Sequence, residues 1–338
     1  MAGAMRYGYK ASAEQFGPRE LLSLSLEAER RGLDTVAISD HFQPWRHTGG
    51  HGPAALPWLG ALVASSQDAL IGTSVLTPTL RYRPAVIAQA FATLGCLAPG
   101  RVFLGVGTGE GLNETPATGD AFPPIKERRR RLAEAIKLIR ALWEGERVDF
   151  EGEYYRTQKA TIYDRPDAPV PIYVAASGPL AARLAGRAGD GFIVTSGKEP
   201  ELYTELTAAM EEGAEKAGRD ATQIKRMIEI KVSYDRDVDY ARDACRPWAA
   251  LALSSDEKSG IEDPVEMEKA GEAAAGRAHT RFIVADDPDA VVEQIAVYVE
   301  LGFTELVFHL PGDEQRRQLT AFADDVLPRL RERLGATT

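Results

Sequence analysis

The sequence predicts an α/β fold, a (β/α)8 barrel of the TIM type. Short apolar runs alternate with helical patterns along the chain, as in a parallel sheet with helical crossovers. The strand-helix unit recurs eight times, which favours a closed barrel over an open doubly wound sheet. The length, 338 residues, suits one barrel with a sizeable core, and 44% hydrophobic with 27% charged residues excludes disordered and fibrous classes.

The units follow in order. Strand 6–10 precedes a helix over 18–31, with Pro18 in its first turn, Leu21, Leu24 and Ala28 on a 3.6-residue period, and Gly32 just past its end. Strand 35–39 stops at Asp40-His41; a Gly/Pro-rich loop, 47–53, leads to a helix near 54–67. Strand 70–77 is followed by the helix 85–98 opened by Pro84, and strand 101–108 by a loop and a charged helix over 125–143. Strand 172–176 pairs with helix 179–188, and 191–195 with 200–217. Strand 227–234 alternates in part and precedes helical residues 238–250, and strand 305–309 is closed by a helix over 316–334. Residues 109–124, the hairpin-like 148–163 and 251–281 break the repeat and read as insertions in a single domain spanning 1–338.

A net charge of −10 argues against nucleic-acid or acidic-membrane partners, which need extended basic faces. Cys96 and Cys245 form no zinc or CxxC spacing, and no signal peptide or long apolar span is present, so a cytoplasmic protein without a metal site is expected. His47 and His51 have no third ligand nearby and read as loop residues. The charge run 126–131 reads as a solvated helix face.

In a barrel the strand C-termini converge on one mouth. That mouth gathers Lys10, Glu14, Asp40, His41, Trp45, Ser74, Thr77, Gly107, Glu110, Asn113, Ser177, Gly178, Thr195, Ser196, Lys198 and Lys231. The two acids and the imidazole at strand ends are candidates for proton transfer, and the Gly178 amide at a helix start is a candidate anion site. A strand-terminal Asp-His pair alone is more often a turn or helix cap with a structural hydrogen bond. The run Gly105-Val106-Gly107-Thr108-Gly109-Glu110 fails the dinucleotide fingerprint and reads instead as a strand whose backbone is closely approached.

The runs Tyr9–Phe16, Ser39–Arg46 (SDHFQPWR), Gly72–Thr79 and Val102–Glu110 resemble the F420-dependent glucose-6-phosphate dehydrogenases of the luciferase-like superfamily, and the resemblance extends over essentially the whole chain. It implies a barrel that binds the 5-deazaflavin coenzyme F420, which accepts a hydride at C5 from C1 of a sugar phosphate. By the family pattern His41 is the base for the C1 hydroxyl, Glu110 the acid that protonates the reduced deazaflavin, Trp45 a wall of the reacting pair, and Glu14 a neighbour of the sugar. A carboxylic acid kept protonated by burial suits the role given to Glu110. The resemblance further assigns Asp40, Ser74, Val75, Thr77, Gly107, Asn113, Ala176, Ser177, Gly178 and Thr195 to the cofactor, with a cis peptide between Ser74 and Val75, and Lys198, Lys258 and Arg281 to the substrate phosphate. It also implies a homodimer.

Two departures stand out. Ser259-Gly260 follows Lys258 where the family carries histidine and serine, which leaves glucose, fructose and mannose 6-phosphates open as substrates. Ser177-Gly178 replaces a glycine pair. An FMN-dependent luciferase-like monooxygenase and a non-catalytic binder of cofactor or sugar phosphate are the alternatives on the same scaffold.

Overall fold

The computed structural model describes residues 5–335. The chain opens with β1 (Arg6–Ala11) and α1 (Pro18–Arg30), then β2 (Thr35–Ile38) and α2 (Ala55–Ser65), β3 (Leu70–Thr73) and α3 (Pro84–Leu97). β4 (Val102–Val106) leads to α4 (Gly111–Thr118), α5 (Ile125–Glu144) and the antiparallel hairpin β5 (Val148–Glu151) and β6 (Arg156–Ala160). There follow β7 (Ile172–Ala175), α6 (Pro179–Ala188), β8 (Gly191–Thr195), α7 (Pro200–Lys216) and β9 (Lys225–Tyr234). α8 (Val238–Asp243), α9 (Ser255–Lys258), α10 (Pro264–Glu272), β10 (Ile283–Ala285) and α11 (Pro288–Glu300) precede β11 (Glu305–His309), α12 (Gln315–Ala321) and α13 (Leu327–Leu334).

Eight parallel strands run β9-β11-β1-β2-β3-β4-β7-β8, and β8 pairs back onto β9. The sheet therefore closes, as the eight-fold repeat predicts. Inside it Ala37, Leu70, Phe103, Tyr173, Ile193, Met227 and Val307 form a separate apolar plug. A larger core lies between the outer strand faces and the helices, built on residues such as Leu21, Leu62, Phe91, Ile139, Tyr203, Ile295 and Phe322.

Three elements differ from the sequence reading. β3 ends at Thr73 and not at Thr77; beyond it Ser74 and Val75 are joined by the cis peptide that the resemblance implies, and Leu76 bridges to Val106. The helix expected over 238–250 covers only Val238–Asp243, and the crossover helix that carries the chain to β11 is α11. α11 starts where Asp287 accepts a hydrogen bond from the Asp289 amide and Pro288 fills the first turn, and it buries Val291, Val292 and Ile295. The terminal helix is interrupted by a π turn, Phe322–Val326, just before Pro328, whose missing N–H and ring break the regular ladder.

β4 is closely approached at Gly105, but by the chain itself. Thr73 Oγ1 donates to the Gly105 carbonyl at 2.7 Å and accepts from the Gly105 amide at 3.1 Å, and a Cβ on Gly105 would stand 1.8 Å from the Thr73 carbonyl oxygen. Gly105→Ala is therefore expected to cost roughly 3 kcal/mol by overpacking, read as a melting temperature lowered by several degrees; an unchanged melting temperature would refute this account of the β3–β4 contact.

Candidate active site

The strand C-termini surround a cavity of about 560 Å³. Glu14, Asp40, His41, Trp45, Ser74, Val75, Thr77, Gly107, Glu110, Asn113, Ala176, Ser177, Thr195, Lys198, Lys258 and Arg281 all line it. Gly178 does not; it is the residue before α6, directly after the lining Ser177.

At the end of β2, His41 is gripped from both sides. Its Nε2 stands 3.2 Å from Glu14 Oε1, and its Nδ1 lies 3.2 Å from the side-chain amide nitrogen of Asn113. Asn113 Oδ1 accepts from the backbone amides of Phe42 at 2.8 Å and Gln43 at 3.1 Å, so its nitrogen is the end that faces the imidazole. An amide nitrogen can only donate, so Nδ1 accepts and the ring proton sits on Nε2, toward Glu14. Burial pushes the Glu14 carboxyl up, but His41, Lys10 and the Ser39 hydroxyl, 2.5 Å from Oε2, together hold it below the usual carboxylate range. The pair thus sets a carboxylate against the Nε2 side of the ring, where it can balance positive charge.

Asp40 is engaged by a residue the sequence did not single out. Arg81 donates to the Asp40 carboxylate at 2.6 Å and to its carbonyl at 2.8 Å, while its backbone amide and Nε bind Glu114 at 3.1 and 3.3 Å. Burial raises the Glu114 carboxyl, against the pull of Arg81. The charge run also holds a contributor to the site. Arg128 donates to the carbonyls of Pro123 at 2.9 Å and Gly109 at 3.2 Å and covers the Phe122 ring, bracing the loop that presents Glu110.

Glu110 is itself exposed, so the burial invoked for its carboxyl is absent. Its Oε2 accepts from Trp45 Nε1 at 3.3 Å, and Lys258 Nζ lies 4.9 Å from the Trp45 ring centroid. Burial lowers Lys258, Glu110 counters it, and Arg281 and Lys198 add to the lowering, so the three cations share one region of the cavity. Arg281 Nε is buried without a hydrogen-bond partner.

The cavity floor carries charges where a barrel interior is usually apolar. Lys10 Nζ meets Glu229 Oε2 at 2.6 Å, and burial of Glu229 is outweighed by Lys10, His309 and Lys231, which bring its carboxyl down to about 2. Burial lowers Lys231 to about 8, against the attraction of Glu229. His309, whose ring packs edge-on against Trp248 with centroids 4.3 Å apart, is lowered by burial to about 4 and leaves Nε2 without a partner. Met227, Glu229, Lys231 and Ser233 alternate along β9, and that alternation was the one local signal for Glu229.

The sequence model of the family described as luciferase-like monooxygenase matches residues 5–305. An F420-dependent glucose-6-phosphate dehydrogenase of Beutenbergia cavernae is 62% identical over 97% of this chain and 98% of that protein, and one of Nakamurella multipartita is 60% identical over 98% of each. The chain belongs to this F420-dependent branch of the luciferase-like family. A solved F420-dependent secondary alcohol dehydrogenase, in complex with an F420-acetone adduct, superposes with a TM-score of 0.91 at 33% identity, covering 97% of this chain and 99% of that one.

The cavity suits the cofactor named in these relatives. Gly107, just after β4, and Ala175, Ala176 and Ser177, at the end of the adjacent β7, leave that part of the lining free of large side chains. The first turn of α6 has no side-chain cap; Pro179 has no N–H and the amides of Ala181 and Ala182 turn back to the Gly178 carbonyl, which leaves those of Gly178 and Leu180 for a phosphate.

The buried histidine yields a pH prediction. His309 drops from an ordinary 6.5 to about 4 in the fold, so between those values the unfolded chain binds more protons and stability falls as pH is lowered. The loss approaches about 3 kcal/mol at pH 4, and His309→Gln is expected to flatten the melting temperature between pH 6.5 and 4. An unaltered pH profile in the variant would show that His309 does not carry this effect.

Proposed function

We propose that the chain oxidises glucose 6-phosphate to 6-phosphogluconolactone with coenzyme F420 as the electron acceptor. The observation that carries this reading is the gathering of Lys198, Lys258 and Arg281 in the same cavity as the Glu14–His41 pair, in a chain of net charge −10. A general attraction for anions is ruled out by that net charge, whereas three converging cations suit one phosphate dianion. Bound in the cavity, the deazaflavin supplies an acceptor for a hydride at C5.

The chain's residues do the rest. Lys198, Lys258 and Arg281 hold the phosphate and so fix the distance of C1 from the mouth. The C1 hydroxyl displaces the Asn113 amide from His41 Nδ1, the ring nitrogen left as an acceptor, and gives its proton there, while Glu14, 3.2 Å from Nε2, balances the charge that develops on the ring. Trp45 walls the sugar, and its indole N–H holds Glu110 where it can pass a proton to the reduced cofactor. Ser74, Val75, Thr77, Gly107, Asn113, Ala176, Ser177, Gly178 and Thr195 seat the cofactor, with Asp40 shaping the same wall through Arg81. We further place the protein in the cytoplasm, in keeping with its two unpaired cysteines, and as a homodimer, as the family resemblance of its sequence implies.

Mixing the protein with oxidised F420 and glucose 6-phosphate is expected to bleach the deazaflavin absorbance. No bleaching with glucose, fructose or mannose 6-phosphate, together with oxygen uptake on reduced FMN, would replace this reading with a monooxygenase. His41→Ala is expected to slow turnover by roughly 10²- to 10⁴-fold with F420 binding retained, and unchanged turnover would move the base elsewhere. Lys258→Ala should raise KM for glucose 6-phosphate about tenfold, more than it lowers kcat; an unaltered KM would remove Lys258 from the phosphate site.

A further inference from the structure

Beyond the pull of Lys10 on the Glu14 carboxyl, the Lys10–Glu229 pair on the cavity floor has no part in the chemistry above, yet it is bound to one lining residue at two points. Lys10 Nζ donates to the Ser74 carbonyl at 2.5 Å and to Glu229 Oε2 at 2.6 Å, and the Ser74 hydroxyl donates to the same Oε2 at 3.3 Å. Both side chains are nearly inaccessible, at 8% and 11%. A pair this deep is a poor source of stability, because the cost of removing two ions from water offsets their attraction, and a well-packed apolar pair commonly replaces one without loss. What an apolar pair cannot do is hold the carbonyl and the hydroxyl of Ser74 at the same time.

Ser74 lies just beyond the end of β3; its amide still donates to the Ile38 carbonyl at 2.8 Å, and Lys10 and Glu229 fix what that bond leaves free, its carbonyl and hydroxyl. Val75 beside it lines the cavity and stands against the bare backbone of Gly107, where a Cβ would lie 2.7 Å from Val75 Cγ2. Turning Ser74 would therefore move Val75 out of the wall that faces the cofactor.

We propose that Lys10 and Glu229 are positioning residues that fix Ser74-Val75 as the seat of the deazaflavin. The proposal rests on the F420 reading of the cavity. Its test is a fluorescence titration of F420 against the folded protein, with the melting temperature measured in parallel. The double variant Lys10→Met/Glu229→Leu should keep its melting temperature within a few degrees, weaken F420 binding about tenfold or more, and lower kcat with little change in KM for glucose 6-phosphate. Glu229→Gln, which keeps an acceptor for the Ser74 hydroxyl, should restore binding to within about threefold. If the double variant does not fold, Lys10→Met alone supplies the same reading, since Glu229 can then take up a proton. A folded double variant that binds F420 like the parent would overturn the proposal. Failure of the parent itself to bind F420 would instead overturn the functional reading on which the proposal stands.

Discussion

One guanidinium ties together the side of the mouth that carries His41 and Asn113. Arg81, in the loop after β3, holds the carboxylate and carbonyl of Asp40 at the end of β2 and the carboxylate of Glu114 in α4. Asn113 is the neighbour of Glu114, so the same contact sets the amide that fixes His41 and caps Phe42 and Gln43. Three segments that share no regular ladder at this point are thus joined through one buried cation. Removing it would leave two buried carboxylates uncompensated, at a cost of roughly 3–5 kcal/mol. The insertion after β4 is for this reason part of the site and not an ornament on the barrel.

The barrel divides by depth. Its lower interior is filled by Phe103, Tyr173, Met227 and Val307, which give closure and stability. The layer above, formed by Lys10, Glu229, Lys231 and His309, exchanges apolar packing for fixed charge beneath the cavity. Ionic groups there are expensive to bury, and the expense is met by mutual pairing and by hydrogen bonds to the backbone of Ser74 and Ser196. The result is a floor that holds its orientation when a ligand replaces water above it.

How much of this was legible follows from where each signal lies along the chain. The barrel was, because each strand carries its own apolar run and each helix its own period. Asp40 and His41 were visible as polar residues at the abrupt end of a buried strand, and the resemblance separated their roles. Arg81 was not, since its partners lie 41 and 33 residues away and nothing near it marks a pattern. Arg128 was hidden in a charge run whose other members face solvent or pair on the surface. The crossover helix α11 escaped because helical residues 238–250 already occupied its place in the repeat, although Asp287-Pro288 is a clear start signal. Glu110 was found, but its exposure was not, because burial at a barrel rim is decided by loops that the strand pattern does not reach.

If this mouth holds C1 of a sugar phosphate against C5 of the deazaflavin, hydrogen passes directly between them. Glucose 6-phosphate deuterated at C1 tests that claim most directly. The account predicts one deuterium atom in the reduced cofactor, recovered from ordinary water and read by mass spectrometry. Reduced cofactor carrying only solvent hydrogen would contradict it.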